Sequence, residues 1–235
     1  MKLSIVIPAY NEEVRIGHTL QKIREFLLRK NMDAEIIVVD DGSTDNTASL
    51  VEGMLRGFPG KGRLVRNERN RGKGFSVKRG MLEAQGDTLL FTDADLSTPI
   101  EEMEKLIKPL EEGYDIAIGS RSLSDSKVEI RQNIVRQTMG KLFNKIARLL
   151  TFKGIIDSQC GFKCFKRQAA KELFSRQKID GFCFDAEILY YAQRMGYKIK
   201  EVPVLWRNSP TSKVHFLFGP LEMLADLFRI RLSIR

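Results

Sequence analysis

With 235 residues, 43% of them hydrophobic, the chain can bury a sizeable core as one α/β domain or one domain with an appendage. Three cysteines and two histidines, without paired C-x-x-C spacing, speak against a disulfide framework or structural zinc and for a reduced compartment. Charge is lopsided: residues 1–120 hold 17 Lys+Arg against 20 Asp+Glu and residues 121–235 hold 22 against 10, so the basic second half points to a partner bearing phosphate.

Leu3 to Ala9 is a continuous apolar run that includes Pro8, and it reads as a buried first strand. A strand that opens so early leaves no signal peptide to expect. Tyr10-Asn11-Glu12-Glu13 follows, then a helix with Val14, Leu20, Ile23, Phe26 and Leu27 as its apolar positions. Ile36 to Val39 is a second buried strand, closed by Asp40-Asp41-Gly42-Ser43-Thr44-Asp45. Ser43 or Thr44 can cap the next helix, which carries Leu50, Val51, Met54 and Leu55. Arg63 to Arg66 predicts a short third strand, and Asn70-Arg71-Gly72-Lys73-Gly74 a loop into a helix through Val77, Met81, Leu82 and Ala84. Leu89 to Thr92 is a buried strand ending in Asp93-Ala94-Asp95, followed by a helix (Met103, Leu106, Ile107, Leu110) and a strand from Asp115 to Gly119. This alternation predicts an α/β fold with a mostly parallel, doubly wound sheet flanked by helices.

The character changes near Ser120. Gln137 to Phe152 places Met139, Leu142, Phe143, Ile146, Leu149 and Leu150 at helical spacing, with Lys141, Lys145 and Arg148 on another face. Such a basic amphipathic helix either lies in a membrane interface or packs on the sheet with a solvated basic face. His215 to Arg235 adds a second segment of this kind, and the pair favours peripheral contact with a membrane surface. No apolar run reaches the ~18 residues that a spanning helix needs.

The polar clusters after the strands fall where a doubly wound sheet binds its ligand. Asp93 and Asp95, two apart, share a face if the strand runs through them, and can then converge on one hard cation. The alternative has Asp95 or Ser97 capping a helix from Pro99. No G-x-G-x-x-G follows the first strand, and Gly72-Lys73-Gly74 lacks the spacing of a P-loop, which disfavours a dinucleotide oxidoreductase. Carboxylates beside a phosphate-bearing ligand require a bridging cation, which favours a nucleoside diphosphate held through Mg²⁺ or Mn²⁺.

Taken together, Pro8-Ala9-Tyr10-Asn11-Glu12, Val38-Val39-Asp40-Asp41-Gly42-Ser43, Asn70-Arg71-Gly72-Lys73-Gly74, Asp93-Ala94-Asp95 and Gly119-Ser120-Arg121 resemble an inverting nucleotide-sugar glycosyltransferase of the GT-A fold, which is Rossmann-like. Asp157-Ser158-Gln159-Cys160-Gly161-Phe162-Lys163, Phe184-Asp185-Ala186-Glu187, and Trp206 with Ser212-Lys213-Val214 extend the resemblance to the branch that uses dolichyl (polyprenyl) phosphate as acceptor. It is most similar to the dolichyl-phosphate β-glucosyltransferases, then to the dolichyl-phosphate mannose synthases. The resemblance implies that Pro8, Tyr10, Glu12, Val39 and Asp41 hold base and ribose, with Asp41 reading the base. It assigns metal and diphosphate to Asp93 and Asp95, with Ala94 and Lys73 in the nucleotide-sugar pocket. Ser97 stands where the mannose synthases often place a Gln ligand. Arg121, Arg136, Arg207 and Lys213 would face phosphates, with Arg131 a weaker candidate.

The expected reaction passes a hexose, with UDP-glucose favoured over GDP-mannose as donor, to a polyprenyl phosphate at the cytoplasmic side of a membrane. Residues 1–120 would be the nucleotide-sugar half and residues 121–235 the acceptor half of one compact domain. A rival enzyme reading passes the sugar to a hydroxyl, with Asp185 as base, although Asp185 and Glu187 can equally cap and pair within a helix. A nucleic-acid partner is not expected, since it rests on the net charge of +9 alone.

Overall fold

The computed structural model describes residues 2–58, 60–130, 134–207 and 218–232. The strands are β1 (Leu3–Ala9), β2 (Ala34–Asp40), β3 (Lys61–Arg66), β4 (Thr88–Thr92), β5 (Ile116–Ser120), β6 (Lys127–Ile130), β7 (Phe162–Lys166), β8 (Ile199–Pro203) and β9 (Leu205–Arg207). Among the described residues, seven of them form one sheet in the order β3-β2-β1-β4-β7-β5-β8, and β6 pairs with β9 apart from it. Every strand of the large sheet runs parallel except β7, which lies antiparallel between β4 and β5. The chain winds from β1 outward through β2 and β3, then crosses to β4 on the other side of β1. That reversal puts a topological switch point, the usual ligand crevice of such a sheet, at the carboxyl ends of β1 and β4.

Both faces of the sheet are covered, which is why β1, β2 and β4 read as unbroken apolar runs. Helices α1 (Ile16–Arg29), α2 (Thr47–Leu55) and α4 (Met103–Glu111) close one face, around Ile5, Ile7, Val38, Leu90 and Phe162. Helices α3 (Lys73–Glu83), α5 (Ile134–Leu150), α6 (Arg167–Arg176), α7 (Phe184–Arg194) and α8 (Phe218–Leu232) close the other, around Val6, Val39, Phe91 and Phe165. Helix α5 packs Phe143, Ile146, Ala147 and Leu150 against this core and leaves Lys145 and Arg148 exposed. The packing alternative for this helix is therefore realised, yet Leu142 and Leu149 also stand exposed beside its basic residues. Among the described residues, no helix is long and apolar enough to cross a membrane.

Helix α3 is held unusually firmly. Its C-terminal carbonyls at Met81, Leu82 and Ala84 accept from the Lys171 ammonium of α6, a cross-helix cap for groups without intrahelical partners. In its last turn, Gly80 lies flush on the sheet, where a Cβ would overlap Val6 and crowd Val39. Gly80→Ala should therefore lower stability by about 2 kcal/mol through overpacking, despite the better helix propensity of alanine. A urea midpoint equal to or above that of the parent protein would contradict this packing argument.

Candidate active site

The loops after β1 and β2 are stitched to each other. Asn11, in the left-handed region at φ 51°, donates its N–H to Ser43 Oγ (2.9 Å) and accepts the N–H of Thr44 on Oδ1 (2.8 Å). Glu12 takes its backbone N–H to Thr47 Oγ1 and pairs its carboxylate with Arg15 at 2.6 Å. Tyr10 is half-buried at the mouth of this crevice. Asp41 is buried, and its carboxylate accepts from Asn67 Nδ2 (2.7 Å), Arg71 N (3.0 Å) and Gly72 N (2.8 Å). It thus folds the Asn70–Gly74 loop back against β2. Pro8 and Val39 sit inside their strands and are buried, Val39 in the core beneath α3, so neither side chain offers a surface to a ligand in this arrangement.

Strand β4 stops at Thr92, so Asp93 and Asp95 do not share a strand face as a run-through strand would give. The chain turns instead, with Leu96 at φ 45° and Asp95 Oδ1 accepting the N–H of Ser97 at 3.0 Å. The helix-cap alternative is not realised either, because the short turn of helix at Ile100–Glu102 is preceded by Pro99 without a side-chain cap. Thr19 Oγ1 donates to Ala94 O (2.6 Å) and Arg207 N donates to Ser97 O (2.7 Å), fixing the acidic turn from both sides. Each carboxylate meets its own cation: Asp93 Oδ1 lies 2.6 Å from the Lys73 ammonium, and Asp95 Oδ2 lies 3.8 Å from Arg15.

Burial works to lower the pKa of Lys73, but Asp93, Asp185 and Asp95 outweigh it, so the ammonium is held charged beyond the ordinary lysine range. The Asp93 and Asp95 side chains remain 35% and 22% exposed. The backbone comes so close at Gly161 that a Cβ there would overlap the Asp93 carboxylate. Hard oxygen donors, a lysine ammonium already standing on one of them, and a cradle that admits no side chain together fit a divalent cation at Asp93 and Asp95. Ser97 is buried two residues farther on, its N–H already committed to Asp95.

Behind this turn lies a second, buried pair. Lys163 of β7 approaches Asp185 of α7 to 2.5 Å with side chains 1% and 4% exposed, and it also donates to Cys160 O at 2.6 Å. Burial pushes the Asp185 carboxyl up, against the pull of Lys163 and Lys73. Glu187 accepts the backbone N–H groups of Lys178 and Ile179. Asp185, the base of the sugar-hydroxyl alternative, is thus already paired with Lys163, while Lys73 and Asp93 of the acidic turn also act on it electrostatically. Arg121 follows β5 at the correct edge, but its guanidinium grips the fully buried Asp157 through Nε (2.7 Å) and Nη2 (2.8 Å), 5.5 Å from the Trp206 ring. Arg207 is exposed and pairs with Glu129 at 2.6 Å. The Arg136 side chain, and the whole of Arg131 and Lys213, lie outside the described residues.

Sequence reasoning missed the roles of Arg15, Asp157, Gly161 and Lys163. For Lys163 a signal existed: in Phe162-Lys163-Cys164-Phe165 a lysine occupies an inward strand position, which demands a buried partner. For Arg15 the signal was its spacing of three from Glu12 on an emerging helix.

The chain matches the family model described as Glycosyl transferase family 2 over residues 4–174. The dolichyl-phosphate beta-glucosyltransferase of Dictyostelium discoideum is 38% identical, over 97% of this chain and 73% of its own length. The enzyme of that name from Mus musculus is 35% identical over 98% and 75%. Among solved structures, glucosyl-3-phosphoglycerate synthase from Mycobacterium tuberculosis, crystallised with Mn²⁺, uridine diphosphate and glucosyl-3-phosphoglycerate, superposes with a TM-score of 0.70 at 23% identity, over 99% of this chain and 79% of that one. A mannosyltransferase from Pyrobaculum calidifontis in complex with GDP-Man and Mn²⁺ gives 0.63 at 20% identity, over 97% and 64%. These likenesses show the expected GT-A fold.

The Arg121–Asp157 clamp carries a pH signature. Burial works to raise the Asp157 carboxyl, but Arg121 overrides it and brings it down to about 2, against about 4 in an unfolded chain. The stabilisation is then complete above pH ~4 and is lost as pH falls through ~2. Asp157→Asn should cost about 3 kcal/mol in urea unfolding at pH 7. The gap to the parent should narrow as pH falls from about 4 toward 2; a gap independent of pH would disprove the assignment.

Proposed function

Because this chain belongs to glycosyl transferase family 2, and within it to the dolichyl-phosphate β-glucosyltransferases, we propose that it transfers glucose from UDP-glucose to dolichyl or another polyprenyl phosphate with inversion at the anomeric carbon. GDP-mannose is the second-ranked donor. The observation that supports this most is the convergence of Asp93, Asp95 and Lys73 at the switch point between β1 and β4, beside the stitched loops of Tyr10–Glu12 and Asp41. Residues 1–120 serve the donor and residues 121–235 the acceptor within one folded unit.

The reaction needs no general base. A phosphomonoester has its second pKa near ~6, so the acceptor is already an anion at neutral pH. The pairing of Asp185 with Lys163 and of Glu187 with backbone N–H groups agrees with an acceptor of that kind. The protein's work is alignment and charge handling. The Tyr10–Glu12 segment and the loop folded by Asp41 shape the base and ribose pocket, with Pro8 and Val39 supporting it from within their strands. Asp93 and Asp95, with Ser97 beside them, would hold Mg²⁺ or Mn²⁺, which when bound supplies Lewis-acid stabilisation to the departing diphosphate. Lys73 brings a further positive charge to the same turn. Arg136 and Lys213 orient the acceptor phosphate and offset its repulsion from the donor, arginine being able to grip phosphate with two N–H groups, while Arg121 and Arg207, matched with Asp157 and Glu129, shape the wall beside it.

The lipid acceptor implies a peripheral station on the cytoplasmic side of a membrane. Exposed Leu142 and Leu149 stand beside Lys145 and Arg148 on α5, and exposed Phe228 and Leu232 beside Arg229 and Arg231 on α8. Apolar side chains interleaved with basic ones suit an anionic bilayer interface.

The decisive assay offers UDP-glucose and GDP-mannose separately with a polyprenyl phosphate and Mg²⁺ or Mn²⁺. Labelled glucosyl lipid should form, and Asp95→Asn should reduce it at least ~10²-fold with an unchanged melting temperature. Product formed solely with hydroxyl acceptors would refute the reading. For the membrane station, Leu149→Glu combined with Phe228→Glu should weaken sedimentation with phosphatidylserine vesicles. Turnover of a short, water-soluble polyprenyl phosphate should stay unchanged, and equal sedimentation of parent and variant would exclude these helices as the contact.

A further inference from the structure

We propose that Lys73 competes with the divalent cation for Asp93, so that metal and nucleoside diphosphate enter this site as a coupled pair. The inference rests on the metal placement given above. The Lys73 ammonium lies 2.6 Å from Asp93 Oδ1, on the same carboxylate that would hold a hard cation. Two positive charges cannot share that carboxylate at such a range without strong repulsion. For the cation to bind, the ammonium must leave.

The geometry says how it can leave. Lys73 is the first residue of α3, and the backbone on either side of it is fixed. Gly72, at φ 106°, lies against the carbonyl of Asp180, and a Cβ on Gly74 would overlap Ile179 O and Gly181 O. The far end of the helix is anchored by Lys171. The exchange is therefore confined to the lysine side chain, which is 21% exposed and has four rotatable bonds. Asp185 and Asp95 also act on it electrostatically, but Asp185 is already committed to Lys163 and Asp95 would be occupied by the same cation. A diphosphate arriving with the metal supplies the anionic oxygens that the ammonium loses. Each ligand then tightens the other, and by linkage it does so by the same factor.

The test is Mn²⁺ binding, read as loss of the free-ion signal by electron paramagnetic resonance, with and without UDP. The parent protein should bind Mn²⁺ weakly alone and at least ~10-fold tighter with UDP. Lys73→Met and Lys73→Gln should bind Mn²⁺ alone at least ~10-fold tighter than the parent, with a smaller further gain from UDP. Lys73→Arg, which keeps the charge, should behave like the parent. If both neutral variants bind Mn²⁺ alone no more tightly than the parent while Asp93→Asn abolishes binding, the competition is disproved and the metal placement stands. If Asp93→Asn binds Mn²⁺ like the parent, the metal placement falls, and this inference with it.

Discussion

Negative charge at the end of a buried strand is the constraint from which the rest of this structure follows. β4 ends in two carboxylates at the one edge where a doubly wound sheet receives ligands. An anionic donor can approach them only if positive charge stands between. The fold supplies it from outside the strand: Lys73 from the start of α3 and Arg15 from the start of α1. Behind them Lys163 and Asp185 continue the alternation of sign into the core. Low polarity makes each of these contacts stronger than it would be in water, and makes each unpaired member costly. The glycines are the steric side of the same arrangement: Gly161 lets backbone lie on the Asp93 carboxylate, and Gly72 and Gly74, on either side of Lys73, lie against the backbone of residues 179–181.

How much of this was legible depends on the kind of information each element carries. β1, β2 and β4 are buried on both faces, so their apolar runs stand out without alternation, and the polar clusters after them mark the site edge. Their convergence follows from topology alone, because parallel strands put all their carboxyl ends on one side. The turn at Asp93–Ser97 was not legible: two acids spaced by one residue look the same in an extended strand and in a turn closed by Asp95 on Ser97. β7 escaped notice because Phe-Lys-Cys-Phe-Lys lacks an apolar run, and its lysine is tolerated only through a partner 22 residues away. The Arg121–Asp157 clamp joins residues 36 apart, which no local pattern encodes. The amphipathic reading of α5 was correct in pattern: one face is core, while two leucines stay outside with the basic residues, which the spacing alone did not separate.

The basic second half is also less of an open phosphate-binding surface than its composition suggests. Arg121, Lys163 and Arg207 are each matched with a carboxylate, and Arg229 is paired with the buried Asp226. The matched cations set geometry, and Arg121 in particular ties the Asp157–Gly161 loop to the end of β5 while Gly161 lies over Asp93. Positive charge in this protein therefore acts in two ways, by shaping the walls of the crevice and by facing its anionic contents.

The antiparallel β7 has a further meaning for how the polypeptide matures. It is wedged between β4 and β5, which are consecutive neighbours in the chain order of the first half but do not touch in the sheet. Until Phe162–Lys166 has left the ribosome, both flanking strands present raw hydrogen-bonding edges, a state prone to sticking to other chains. A nascent chain halted at about residue 120 is thus a sheet with a missing plank. The early strands and the later ones must be born together, because the strand that seals β4 against β5 comes from the second half of the chain.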